Sequence, residues 1–227
     1  MGRIKIAMAQ INTTVGDLEG NARKIRDYIE RGFRGKADII IFPELAITGY
    51  PPKDLLLYEA FVKKNKKILE DLIRENRAEI IVVVGFVDVV GKDIYNAAAI
   101  FRKNELLGIA HKTLLPTYDF FDENRYFKPA KEHEIKPIEV EIKGEKLKIG
   151  VEICDDLRDQ DSDVKITDLL VDRGADIIIN ISASPFHTGK RFEIEKLLKE
   201  KAKNKVPIFY VNLVGGPVSY THLTLPT

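Results

Sequence analysis

The chain has 227 residues, 44% hydrophobic and 31% charged, with 36 basic residues against 35 acidic ones. That length allows one large α/β domain or two small ones, and a net charge of +1 makes no electrostatic case for nucleic acid or an anionic membrane. The Met1–Gln10 opening has no apolar stretch long enough for a signal peptide and no run of about 18 apolar residues occurs, so the expected setting is cytoplasmic, away from the membrane.

In chain order, a strand is expected at Ile4–Ile11, a helix near Asn21–Phe33 and a buried strand at Ala37–Phe42. Pro51 and Pro52 precede a helix starting near Lys53, with Leu57, Phe61, Ile68 and Leu72 on its apolar face. Strands follow at Glu79–Val87, Ile94–Arg102 and Leu106–His111. The stretch from Thr113 to Lys136 shows no period and mixes aromatics with charges; long loops in compact domains are usually functional. A second unit comprises a strand at Leu147–Val151, a helix at Ile166–Arg173 and a strand at Ala175–Asn180. It repeats the first, since both end in Ala-Asp-Ile-Ile-Ile, which suggests a pseudo-twofold fold. A helix at Lys190–Asn204, with Ile194, Leu197, Leu198 and Ala202 on one face, stops before Pro207 and leads to a strand at Ile208–Leu213. Strands and helices alternate without a linker, which points to one compact α/β domain.

In open α/β sheets ligands gather beyond the carboxyl ends of the strands, and Glu44, Lys112 and Cys154 each follow a strand there. Singly, each has a plainer reading: Cys154, the one cysteine, as buried core, Glu44 as a loop acid or helix-terminus partner, Lys112 as a solvated charge. Together they make a coherent set. A carboxylate can take the thiol proton, an ammonium can stabilise the sulfur anion and then the oxyanion, and the protonated carboxyl can supply the departing amine. Asp155 and Asp156 read as caps of the following helix rather than substrate ligands. His111, His133 and His187 lack ligand-like spacing, so no metal is expected.

The segments Phe42-Pro43-Glu44-Leu45, His111-Lys112-Thr113-Leu114-Leu115-Pro116 and Gly150-Val151-Glu152-Ile153-Cys154-Asp155-Asp156 resemble the three signature segments of the nitrilase, or carbon–nitrogen hydrolase, superfamily, in the same order. The resemblance covers residues 3–216 and implies a four-layer αββα sandwich in which Glu44 is the general base, Lys112 supports the oxyanion and Cys154 is the nucleophile. The flanks at residues 45–56, 115–127 and 180–190 resemble more narrowly the glutaminase domains of glutamine-dependent NAD synthetases. That similarity implies a pocket for L-glutamine lined by Tyr118, Phe121, Ser184 and Lys190, with Glu123 as a second carboxylate orienting Lys112. Read without it, Tyr118 and Phe121 could be core aromatics and Ser184 a turn residue before Pro185. The glutaminase step needs no cofactor; in such families ATP and deamido-NAD belong to a separate synthetase domain, and subunits associate as homo-oligomers.

After Gly216 the family pattern is lost. Residues 217–227 read as an unrelated, poorly packed tail, and no Gly-rich phosphate loop followed by Lys and Ser or Thr is present. The expectation is thus a glutaminase domain at 1–216, incomplete at its C-terminal side, without an ATP-binding synthetase domain. Two other readings stay open: an amidase of the same superfamily acting on another small amide, and a catalytically silent module that keeps the fold.

Overall fold

The computed structural model describes residues 3–118, 121–204 and 206–215; the 217–227 tail lies outside them. Two sheets stack face to face. The first has strands β1 (Ile6–Met8), β2 (Ile39–Ile41), β3 (Ile81–Val90), β4 (Asp93–Arg102) and β5 (Glu105–His111) side by side in that order. β1, β2 and β3 run parallel, while β3, β4 and β5 are antiparallel neighbours. The second sheet has β6 (Ile138–Ile142), β7 (Glu145–Ile153), β8 (Ile177–Ser182) and β9 (Ile208–Asn212), antiparallel at β6–β7 and parallel beyond.

The apolar runs are buried on both faces, as strands between layers must be. Ile39 and Ile41 of β2 join Ile81 and Val83 of β3 against Ile149, Val151 and Ile179 of the second sheet. The alternate residues Ile40, Val82, Val84 and Phe86 face the other way, where α1 (Leu18–Arg34) and α2 (Glu59–Glu75) cover the first sheet with Ile25, Ile29, Ile68 and Leu72. On the far side, α3 (Ile166–Asp172) packs Ile166 and Leu170 against Ile178. In the last helix, α4 (Lys190–Lys201), only Leu197 is buried among the described side chains. The fold is the expected αββα sandwich. The helical face foreseen there is mostly unused, with Ala202 exposed and Ile194 and Leu198 half-buried.

The internal repeat has a physical counterpart. In β1–α1–β2 the Asp38 carboxylate accepts from the Lys5 N–H (2.7 Å) while the Asp38 N–H donates to the Lys5 carbonyl (2.7 Å). Asp176 and Lys148 make the same pair in β7–α3–β8, both at 2.8 Å. Each Ala-Asp-Ile-Ile-Ile run thus begins where an aspartate closes the ladder with its parallel neighbour.

Three local expectations change. The helix placed from Lys53 begins at Glu59: residues Lys53–Leu57 form a 3₁₀ turn, Lys53 lies at φ +46° and Leu57 is exposed. Strand β6 had no counterpart in the sequence reading. Its alternation Ile138-Glu139-Val140-Glu141-Ile142 pairs with β7 through a Lys143-Gly144 turn in which both residues have positive φ, as the type I′ hairpin turn requires. Strands β1 and β2 keep only three residues each, because the chain leaves the ladder to build the turns beyond them.

Candidate active site

Glu44 lies three residues past β2, in a turn pinned by the Phe42 N–H to the Val83 carbonyl (2.8 Å). Gly85 of β3 packs against this turn so closely that a Cβ there would sit 2.3 Å from the Leu45 nitrogen and 2.5 Å from the Pro43 oxygen. Lys112 directly follows β5, held by its own N–H to the Asn96 carbonyl (2.8 Å) and by the Ala130 N–H to its carbonyl (2.9 Å). Cys154 directly follows β7 and opens a 3₁₀ turn, Cys154–Leu157, with φ +51°. A left-handed non-glycine residue costs about 1–2 kcal/mol. Here it ends the strand abruptly.

Glu44 and Lys112 are fully buried and Glu123 is nearly so. The Lys112 Nζ donates to Glu44 Oε1 at 2.7 Å and to Glu123 Oε1 at 3.0 Å, with Glu123 Oε2 at 2.9 Å. Asn96 Nδ2 donates to the same Glu44 oxygen (2.7 Å), the Ala183 N–H to the other (3.0 Å), and the Tyr50 hydroxyl to Glu123 (2.8 Å). Burial works against the Lys112 charge, but Glu123 and Glu44 outweigh it and hold its pKa well above the ordinary lysine value. Burial, aided by the Glu123 charge, pushes the Glu44 carboxyl up even though Lys112 and Asn96 oppose it. The Cys154 thiol lies within electrostatic reach of Glu44, Lys112 and Glu123; burial and then the Glu44 charge raise its pKa well above the usual range. Burial thus disfavours the thiolate form of Cys154.

The structure distributes the remaining predicted residues as follows. Glu123 is in the cluster. Tyr118 is half-exposed, donates its hydroxyl to Asp155 Oδ2 (3.0 Å) and meets Phe121 edge-on at 5.3 Å, and Phe121 lies 6.2 Å from the Tyr50 ring. Phe121 and Tyr50 also line a pocket of about 250 Å³ beside Glu123. Ser184 lines a narrow crevice at Cys154 with Asp155, Arg158 and Tyr210, its backbone held at both ends by Asn212 (2.9 and 3.0 Å). Lys190, first residue of α4, is half-buried within electrostatic reach of Cys154 and Asp155; burial and then the Arg158 charge lower its pKa.

Of the two aspartates after Cys154, Asp156 caps only the short 3₁₀ turn Cys154–Leu157, through the Ile153 N–H, and neither caps α3. Asp156 is buried and accepts from the Thr113, Leu114 and Ile153 N–H groups (2.9, 2.7 and 3.0 Å), tying the Lys112 loop to the Cys154 turn. Asp155 faces Tyr118 and Arg158. The N–H of the first α3 residue, Ile166, is instead taken by Asp159 (2.7 Å). Sequence reasoning also missed Tyr50, Gly85, Asn96 and the Ala183 N–H; only Asn96, a polar residue inside an apolar strand, carries a local sign of a special role. His111 pairs with Asp88 at 2.9 Å, and among the described residues no group of three or more His, Cys, Asp or Glu side chains could hold a metal.

The cluster brings two carboxylates, an ammonium and a thiol together at the ends of separate strands, the group types that attack on a carbonyl uses. The chain belongs to the carbon–nitrogen hydrolase family, whose model matches residues 5–220. It is similar to the glutamine-dependent NAD(+) synthetases of Aquifex aeolicus (40% identical over 215 residues, 94% of this chain and 36% of that protein) and Thermotoga maritima (38% over 218 residues, 95% and 36%). The chain thus spans little more than a third of the length of these relatives. Among solved structures, the glutamine-dependent NAD+ synthetase from Acinetobacter baumannii in complex with ADP matches with a TM-score of 0.83 at 32% identity, over 94% of this chain and 39% of that one. An amidase from Nesterenkonia sp. AN1 shares the fold, with a TM-score of 0.78 at 20% identity over 95% of this chain and 80% of that one. No helix among the described residues is long and apolar enough to cross a membrane.

Proposed function

We propose that this domain hydrolyses the side-chain amide of L-glutamine to glutamate and ammonia through a Cys154 thioester. The observation that carries the reading is Lys112, fully buried and gripped by Glu44 and Glu123 within electrostatic reach of the Cys154 thiol. Glu44 takes the Cys154 proton as the sulfur attacks the amide carbon, and the Lys112 ammonium stabilises the oxyanion. The protonated Glu44 then gives its proton to the departing nitrogen, which leaves as ammonia. Glu44 next takes a proton from water, hydroxide adds to the thioester, and the proton returns to sulfur as the thiol is released. The raised Glu44 pKa suits this, since a stronger base lies closer to the thiol it must deprotonate.

Glutamine is favoured over simpler amides because the crevice is lined by Asp155 and Arg158, with Lys190 within electrostatic reach of Asp155, charges of both signs suited to an α-ammonium and an α-carboxylate. Tyr118, Phe121 and Ser184 complete the pocket in this reading. The similarity to glutamine-dependent NAD(+) synthetases supports delivery of the ammonia to an ATP-dependent amidation of deamido-NAD by a synthetase domain. The test is ammonia release from glutamine and a panel of ω-amides, with mass spectrometry after a thiol-directed glutamine analogue. Preference for glutamine and a single adduct on Cys154, both lost in Cys154→Ala, are expected; equal rates on all amides would reassign the substrate, and no adduct would discard the nucleophile.

A further inference from the structure

Cys154 must hold a left-handed backbone at φ +51° while its thiol stays free for chemistry, so the grip has to come through its main chain. That grip comes from β8. Asn180, fully buried and paired in register with Glu152, donates from Nδ2 to the Cys154 carbonyl at 3.2 Å. Its Oδ1 accepts from the Ser182 hydroxyl at 2.7 Å, which fixes the amide with its NH₂ towards Cys154. The second N–H of that NH₂ lies 3.5 Å from Glu152 Oε2, and Thr167 anchors the other Glu152 oxygen at 2.6 Å. Ser182, Asn180, Glu152 and Thr167 are all buried, so rotating the amide would strand donors and acceptors where no water compensates them.

We infer that Asn180 is a positioning residue for the reaction: it clamps the Cys154 carbonyl and so fixes where the thiol sits relative to Glu44 and the bound amide. The inference rests on Cys154 being the nucleophile. Acting through the backbone of Cys154, Asn180 should govern turnover and leave substrate affinity alone.

The test uses the whole chain carrying Asn180→Ala, Asn180→Asp or Ser182→Ala, with kcat divided by the number of sites that a thiol-directed glutamine analogue titrates. Misplacement of a reacting group by about 1 Å can cost 10²-fold. Asn180→Ala and Asn180→Asp are therefore expected to lower kcat per titrated site by about 10- to 100-fold, with KM within about twofold. Ser182→Ala keeps the amide but frees its rotation, and should fall between them and the wild type. An asparagine that merely supported the fold would lower the number of titratable sites and leave kcat per site at the wild-type level, and that result would overturn the inference. Should the Asn180 variants not fold, Ser182→Ala decides by the same ratio. A wild-type chain that released no ammonia and took no label at Cys154 would bring down the glutaminase reading and the clamp together, whereas an active wild type with unchanged variants would bring down the clamp alone.

Discussion

Gly85→Ala probes how the fold places Glu44 without touching a reacting group. Gly85 sits mid-strand in β3, opposite Ala98 of β4, and accepts from the Ile47 N–H (3.2 Å). Its φ is not among the positive ones, so alanine meets no backbone strain and the effect is steric. The new methyl would lie 2.3 Å from the Leu45 nitrogen and 2.8 Å from the Glu44 carbonyl carbon, both backbone atoms that no rotamer can clear. Ordinary contact begins near 3.4 Å, so the turn must retreat by about 1.1 Å. A shift of that size stretches the 2.7 Å bonds from Glu44 to Lys112 and Asn96 to about 3.8 Å, beyond hydrogen bonding. β3 lies between β2 and β4 and cannot yield instead. Overpacking of this kind costs about 1–3 kcal/mol, and losing the geometry of the base about 10²-fold in kcat. Ammonia release with saturating glutamine, measured beside a thermal melt, gives both numbers. Wild-type kcat with an unshifted melt would refute the claim that the Gly85 contact sets the position of Glu44.

Lys112→Gln leaves Glu44 and Glu123 buried without their cation; urea unfolding should show a loss of about 3–5 kcal/mol, and kcat should fall at least 10²-fold. In the proposed mechanism Glu44 acts ionised, and burial holds its pKa up, so activity should fail on acidification with a midpoint above the ordinary 4.5; a midpoint at or below 4.5 would contradict the burial argument. Alkylation of Cys154 by iodoacetamide in the substrate-free chain should keep rising with pH beyond 9.0, since burial disfavours the thiolate; a plateau near neutrality would indicate a preformed ion. Glu152, pushed up to about 7 by burial, binds its proton more tightly folded than unfolded, so its contribution to stability falls as pH rises from about 4.5 to about 7 and is constant above. Glu152→Gln removes that penalty. Urea midpoints should show it more stable than wild type by up to about 2–3 kcal/mol at pH 8, less the cost of a donor turned towards Asn180, with little difference at pH 4.5; an equal difference at both pH values would refute the linkage.

The sequence by itself settled what local chemistry can settle. Runs such as Ile39–Ile41 and Ile177–Ile179 have no polar face, so they had to become strands covered on both sides, and the turns beyond them had to carry whatever chemistry the chain has. The placing of Glu44, Lys112 and Cys154 just past strand ends was legible for that reason, as was the Asp38 and Asp176 repeat. The tertiary structure alone decided how those ends work. That Asn96 and the Ala183 N–H hold the two Glu44 oxygens, across 52 and 139 residues of chain, follows from sheet order and leaves no period to read. The task of Asp156, the closeness of Gly85 to the Glu44 turn and the clamp on Cys154 likewise arise where separate strands meet. Hydrophobic burial is a sum over each residue's own surface and so shows in the sequence, whereas a hydrogen bond needs two particular atoms within about 3 Å, and only the folded chain brings them there.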